Sequence, residues 1–165
     1  MQSKNKFLNL VNHPFKFRLY LFFKLPAAFF SGIKITECTK EKCITSVPYK
    51  WLTQNPFRST YFASLAMAAE MSTGALALSN TYKSDPAVSM LVTKMEANYF
   101  KKATGITFFT CEEGQQIENA VIESCKSGEG KIITIQSIGK NKGGELIAEF
   151  WFTWSFKPKA QKLRS

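Results

Sequence analysis

Residues 61–80 read YFASLAMAAEMSTGALALSN, and the reading of this stretch decides the fold. Turn formers precede it, with Asn55-Pro56 and then Ser59 or Thr60 as candidate helix caps, so a helix is predicted from about Thr60 to Asn80. No side of that helix is polar. Ala63, Ala66, Ala68, Ala69, Gly74, Ala75 and Ala77 are spread around it, and a helix apolar on all sides belongs inside a protein. Its small side chains let a sheet approach the backbone closely. The stretch from Tyr61 to Leu78 also has the length of a bilayer span. A charge near the middle of a span costs roughly 2.5–3.5 kcal/mol, and Ala, Ser, Thr and Gly dominate over Leu and Ile, so burial in protein is expected. The charge is Glu70, alone between Arg58 and Lys83. A buried carboxylate is expensive and either raises its pKa or finds partners. It is read as a general base or nucleophile in a largely dry pocket, or as an interface acid hydrogen-bonded by Ser72 or Thr73.

Strands are predicted on both sides of this helix. Before it come Ile33–Thr39 and Lys42–Tyr49, the second placing Cys43, Thr45, Val47 and Tyr49 on one face. After it come Pro86–Phe100 and Gly105–Cys111, then a hairpin of Gly130–Lys140 and Gly144–Lys157 across Asn141-Lys142-Gly143. In the first of these, Val88, Met90 and Val92 are expected to face one way, and Leu91, Thr93, Met95, Ala97 and Tyr99 the other. The last strand alternates cleanly, with Leu146, Ala148, Phe150, Phe152, Trp154 and Phe156 on one face. Thr110-Cys111-Glu112-Glu113 has capping-box spacing and opens an amphipathic helix (Ile117, Ala120, Val121, Cys125) that stops at Gly128. The expected class is α+β, a curled antiparallel sheet around the long central helix.

The 165 residues suit one domain, and the net charge of +10 sits at the two ends. Residues 1–34 hold Lys4, Lys6, Lys16, Arg18, Lys24 and Lys34 without an acid. The last nine hold Lys157, Lys159, Lys162 and Arg164, and the rest is neutral. A nucleic-acid partner is therefore not expected, since that wants a basic face on the folded body. Acidic surfaces and phosphate-rich ligands remain open as partners. Residues 5–30 predict a helix or two broken at Pro14 and Pro26, with Phe7, Leu8, Val11, Leu19, Phe22 and Phe23 lying on the domain. A membrane-surface helix is the alternative, giving weak contact through the basic termini. The organisation is thus 1–31 basic helical segment, 32–157 main domain, 158–165 basic tail. Cys38, Cys43, Cys111 and Cys125 form no CxxC pair and His13 stands alone, so no metal site, disulfide framework or His-dependent triad is expected. The longest apolar run, Leu19 to Phe23, is too short for a signal-peptide core, and a cytoplasmic location is expected.

The stretch Asn55-Pro56-Phe57-Arg58-Ser59-Thr60-Tyr61-Phe62-Ala63, followed by Glu70, resembles the hot-dog fold. Within it the chain is similar to the acyl-CoA thioesterase branch related to phenylacetyl-CoA thioesterases, and to a bacterial group of uncharacterised hot-dog proteins. The resemblance covers about residues 32–157. In that branch an Asn begins the loop, His-Gly-Gly starts the central helix, and an Asp or Glu follows fifteen positions after the Asn. Asn55 and Glu70 keep that spacing, Tyr61-Phe62-Ala63 stands in place of His-Gly-Gly, and Pro86-Ala87-Val88-Ser89 resembles the start of the next strand. The resemblance implies an acyl-thioester hydrolase. Glu70 would be the base or nucleophile, Asn55 would position water or carboxylate, and the N–H groups of Phe62 and Ala63 would hold the thioester oxygen. Tyr61, Thr73 and Ser89 would contact substrate. It implies no metal and no cofactor beyond the coenzyme A of the substrate, and a homodimer or tetramer built from dimers. A non-enzymatic binder of acyl or lipid-like ligands is the alternative, favoured by a Phe at 62 where the branch has Gly.

Overall fold

The computed structural model describes residues 2–159, with side chains from Lys6. In chain order the elements are α1 (Gln2–Val11), α2 (Pro14–Lys24), α3 (Pro26–Ser31), β1 (Lys34–Cys38), β2 (Cys43–Val47), α4 (Phe62–Thr81), β3 (Val88–Tyr99), β4 (Thr107–Cys111), α5 (Gly114–Ser127), β5 (Lys131–Asn141) and β6 (Leu146–Pro158). The strands form one antiparallel sheet in the order β1-β2-β4-β5-β6-β3. All six lie where the sequence predicts them. β6 alternates as expected from Ala148 on, and Phe150, Phe152, Trp154 and Phe156 form much of the core. At its start Ile147, expected outward, is buried and Leu146 half-buried, beside a register shift in the β5 pairing. Gly139 on β5 leaves room for a ring: a Cβ there would stand 2.4 Å from Phe109.

The α4 helix has the length and composition of a bilayer span and is the core helix instead. Twelve of its twenty residues are buried. Side-chain bonds tie it to the sheet along its length, one of them from Thr81 to the Met90 sulfur of β3 at 3.4 Å. The Thr45 hydroxyl donates to the Ala68 carbonyl at 2.7 Å, Ser72 and Ser137 share a hydrogen bond at 2.8 Å, and the Trp154 indole donates to Thr73 at 3.1 Å. Its start differs from expectation. Tyr61 holds the N-cap position with no side-chain cap, because the Thr60 hydroxyl is drawn to the Ala103 carbonyl at 3.1 Å and that of Ser59 to Asn55 at 3.2 Å. The expected capping box of α5 is likewise absent: Glu113 accepts instead from the Gln136 N–H at 2.8 Å. Gly128 does end that helix, in the left-handed conformation (φ 72°).

β1 and β3 are the two sheet edges, and the N-terminal helices pack over the seam between them. Asn12 clips this layer to β1, donating to the Cys38 carbonyl at 2.7 Å and accepting its N–H at 3.0 Å. Arg18 joins α2 to α3, stacked 3.8 Å over Phe29 and donating to its carbonyl at 2.9 Å. The helices break at Pro14 and Pro26 as predicted, but the buried face of α2 does not. Phe17 and Leu21 are buried, while Leu19, Phe22 and Phe23 are exposed. The expected set continues the α1 stripe of Phe7 and Val11 through the break, whereas Pro14 starts a new helix with its own phase.

The β3 faces also differ from expectation. A bulge between Val92 and Lys94 inserts one residue, so Met95, Ala97 and Tyr99 pair opposite Phe152, Phe150 and Ala148, on the same side as Met90 and Val92. Strand pairing further aligns Cys38 with Cys43 and Cys43 with Cys111, setting three buried thiols in a row across β1, β2 and β4. The tail expected at 158–165 begins at the last residue of β6, and residues 160–165 lie outside the described part.

Candidate functional site

Glu70 is half-buried midway along α4, on the side facing the seam. It lines a cavity of about 130 Å³ whose other walls are apolar: Phe7, Phe17, Tyr20 and Leu25 from the N-terminal layer, Ile35 from β1 and Met90 from β3. Gly74, one turn on, makes the space for its carboxylate, since a Cβ there would stand 2.7 Å from Glu70 Oε1. Among the described residues the carboxylate has no hydrogen-bond or ion-pair partner. Burial alone pushes its pKa above the ordinary carboxylate value. A carboxyl poised in this way can take a proton at a pH where a solvated Glu would not.

The other expected residues gather at the start of α4. Asn55, Phe57, Tyr61, Phe62, Tyr99 and Lys102 line an open cleft of about 520 Å³. Asn55 organises its loop, its Oδ1 accepting the N–H groups of Phe57 and Ser59 at 3.0 and 3.2 Å. Arg58 in that loop takes a left-handed backbone (φ 59°). The first intrahelical bonds of α4 run from the N–H groups of Ser64 and Leu65 to the Tyr61 carbonyl. The N–H groups of Phe62 and Ala63 precede them and have no partner within the helix. This end of α4 carries partial positive charge suited to an oxyanion. The rings of Tyr61 and Phe62, 4.8 Å apart, stand exposed beside it.

Within one chain these groups form two half-sites. Eight residues of helix separate Phe62 from Glu70, about 12 Å of rise. Thr73 and Ser89 line neither cavity. The Thr73 hydroxyl is buried, donating to the Glu70 carbonyl at 3.0 Å and accepting from Trp154. That of Ser89 is exposed on β3 and donates to the Lys157 carbonyl at 3.2 Å. Helix phase and strand edge point both away from the two cavities. Sequence reasoning missed Tyr99, the last residue of β3, and Lys102, in the β3–β4 connection, as cleft residues. It also missed the apolar roof over Glu70, for which the buried phase of α2 was the needed signal. His13 lies exposed at the α1–α2 junction, outside both cavities. Among the described residues no cluster of His, Cys, Asp and Glu suits a metal ion. Burial holds the Cys111 thiol up to about 12, and a hydrogen bond with Cys38, with burial added, raises that of Cys43, so these two stay protonated.

Several solved structures share this architecture. A Pseudomonas aeruginosa protein of unknown function, described as a probable thioesterase, aligns at TM-score 0.74 and 18% identity, over 88% of this chain and 97% of its own. A thioesterase from Haemophilus influenzae aligns at TM-score 0.61 and 12% identity, over 89% and 92%. The Escherichia coli PaaI protein of the phenylacetic acid degradation operon aligns at 0.62 and 10%, over 92% and 96%. At these identities the likeness establishes the fold. No curated protein matches the sequence. The DUF4442 family, described as a domain of unknown function, matches residues 16–155. The chain therefore has the hot-dog fold and belongs to the DUF4442 family.

Proposed function

We propose that the protein hydrolyses acyl thioesters, with Glu70 as general base or nucleophile. The observation that carries this reading is the unpartnered Glu70 carboxylate at an apolar cavity, on a fold shared with thioesterases. As base, Glu70 takes a proton from water while the water oxygen adds to the thioester carbonyl carbon. The N–H groups of Phe62 and Ala63 stabilise the resulting oxyanion. The C–S bond then breaks, and the thiolate receives the proton from Glu70, leaving acid and thiol. The separation of the half-sites favours a homodimer in which Glu70 of one protomer meets the α4 start of its partner. For substrates carrying coenzyme A, Lys102 at the cleft is the base proposed for its phosphates, because Lys101 is engaged by Glu145.

Turnover of a panel of acyl-CoA esters by wild type and Glu70→Gln tests the reading. The variant should lose roughly 10²-fold or more in kcat/KM, the scale for removing a positioned acid–base group. Equal turnover in both would exclude Glu70 from the chemistry. The exposed Phe62 ring at the helix start favours a second reading, a binder of acyl or lipid-like ligands. Ligand binding with no turnover by either protein would select it.

A further inference from the structure

We propose that the outer face of α2, with the adjoining α3, docks the protein on an anionic lipid surface. This inference stands apart from the thioesterase reading. α2 is apolar on two sides. Phe17 and Leu21 face inward, whereas Phe15, Leu19, Phe22 and Phe23 recur at i, i+4, i+7 and i+8 on the other side. These four are 83%, 59%, 43% and 70% exposed. Phe22 extends the stripe onto α3, its ring centroid 5.1 Å from Phe29 and 6.4 Å from Phe30, itself 54% exposed. A continuous exposed patch of large apolar side chains marks an interaction surface.

The charges identify the partner. Residues 1–36 contain six bases and no acid, and Lys16 and Lys24 are exposed on α2 itself. Lys50 adds another base at the rim, donating to the Phe30 carbonyl at 2.8 Å. Aromatic rings interleaved with lysines match a membrane interface, with rings in the acyl boundary and ammonium groups among headgroup phosphates. A second copy fits poorly, because a two-fold contact over this face would oppose the same bases.

Sedimentation of the full chain with phosphatidylcholine vesicles, with and without phosphatidylglycerol as a third of the lipid, tests this. Binding should be at least about tenfold tighter to the anionic vesicles and weaken with added salt. The triple variant Phe15→Ser, Leu19→Ser, Phe23→Ser should lose binding with its melting temperature kept. Should that variant misfold, Lys16→Glu with Lys24→Glu should weaken binding roughly fivefold or more for each base. Wild type that ignores anionic vesicles would overturn the proposal. So would folded variants that bind like wild type, or a wild-type dimer that the triple variant dissociates without any vesicle binding.

Discussion

Replacing Glu70 by Gln changes stability in a direction that pH reveals. The folded protein holds this carboxyl's pKa above its unfolded value of about 4.3, so folding favours the protonated form. Below about pH 4 both states are protonated and the residue costs little as an acid. As pH rises through the folded pKa, ionisation in the apolar cavity destabilises the fold. Glu70→Gln should therefore melt above wild type at pH 8, with the difference shrinking toward pH 4 and below. A constant difference across that range would mean that Glu70 ionises without penalty. The exceptional position of Glu70 was legible in the sequence, because a lone charge on an apolar helix has no bland neighbours. Asn12 was not legible, since nothing in Asn12-His13-Pro14 announces a strand edge 26 residues away. Asn12→Ala removes both of its bonds to Cys38. On an exposed edge where water can replace them, the loss should be about 1 kcal/mol, a few degrees in melting temperature.

Strand and helix positions followed from alternation and from Pro and Gly breaks, while phase within an element did not always. The β3 bulge and the Pro14 break each shift the buried set without changing composition, so periodicity carried across them assigns the wrong face. The thiol row was hidden for a related reason. Cys38, Cys43 and Cys111 meet through strand register, which a search for CxxC spacing does not sample. Their burial sets a labelling pattern. In the native protein a thiol reagent should modify Cys125, the partly exposed one on α5, well before the other three. Guanidinium should make all four react. Rapid native labelling of Cys43 or Cys111 would mean that the β1–β2–β4 end of the sheet opens readily.

At the scale of the molecule, β3 is a twelve-residue edge strand whose only partner strand among the described residues is β6. A long free edge invites pairing with another chain. The protein should therefore run as a dimer by light scattering, and a proline at Glu96, in the middle of this edge, should drive it toward monomer. A wild-type monomer at micromolar concentration would remove the dimer from the catalytic proposal. The fold was legible because one buried helix and six alternating strands allow few arrangements. How the candidate residues assemble was not, because Glu70 and the start of α4 lie at separate places on that helix. The strand order has one more consequence, in the timing of synthesis. β6 holds β5 and β3 together, yet it is made after both of them. Residues 82–158 must be translated after α4 emerges before its cover is complete, a delay of several seconds at ~5–20 residues per second. For that interval a helix with the composition of a membrane span lacks its final shelter, so the nascent chain should depend on chaperone protection more than the finished protein does.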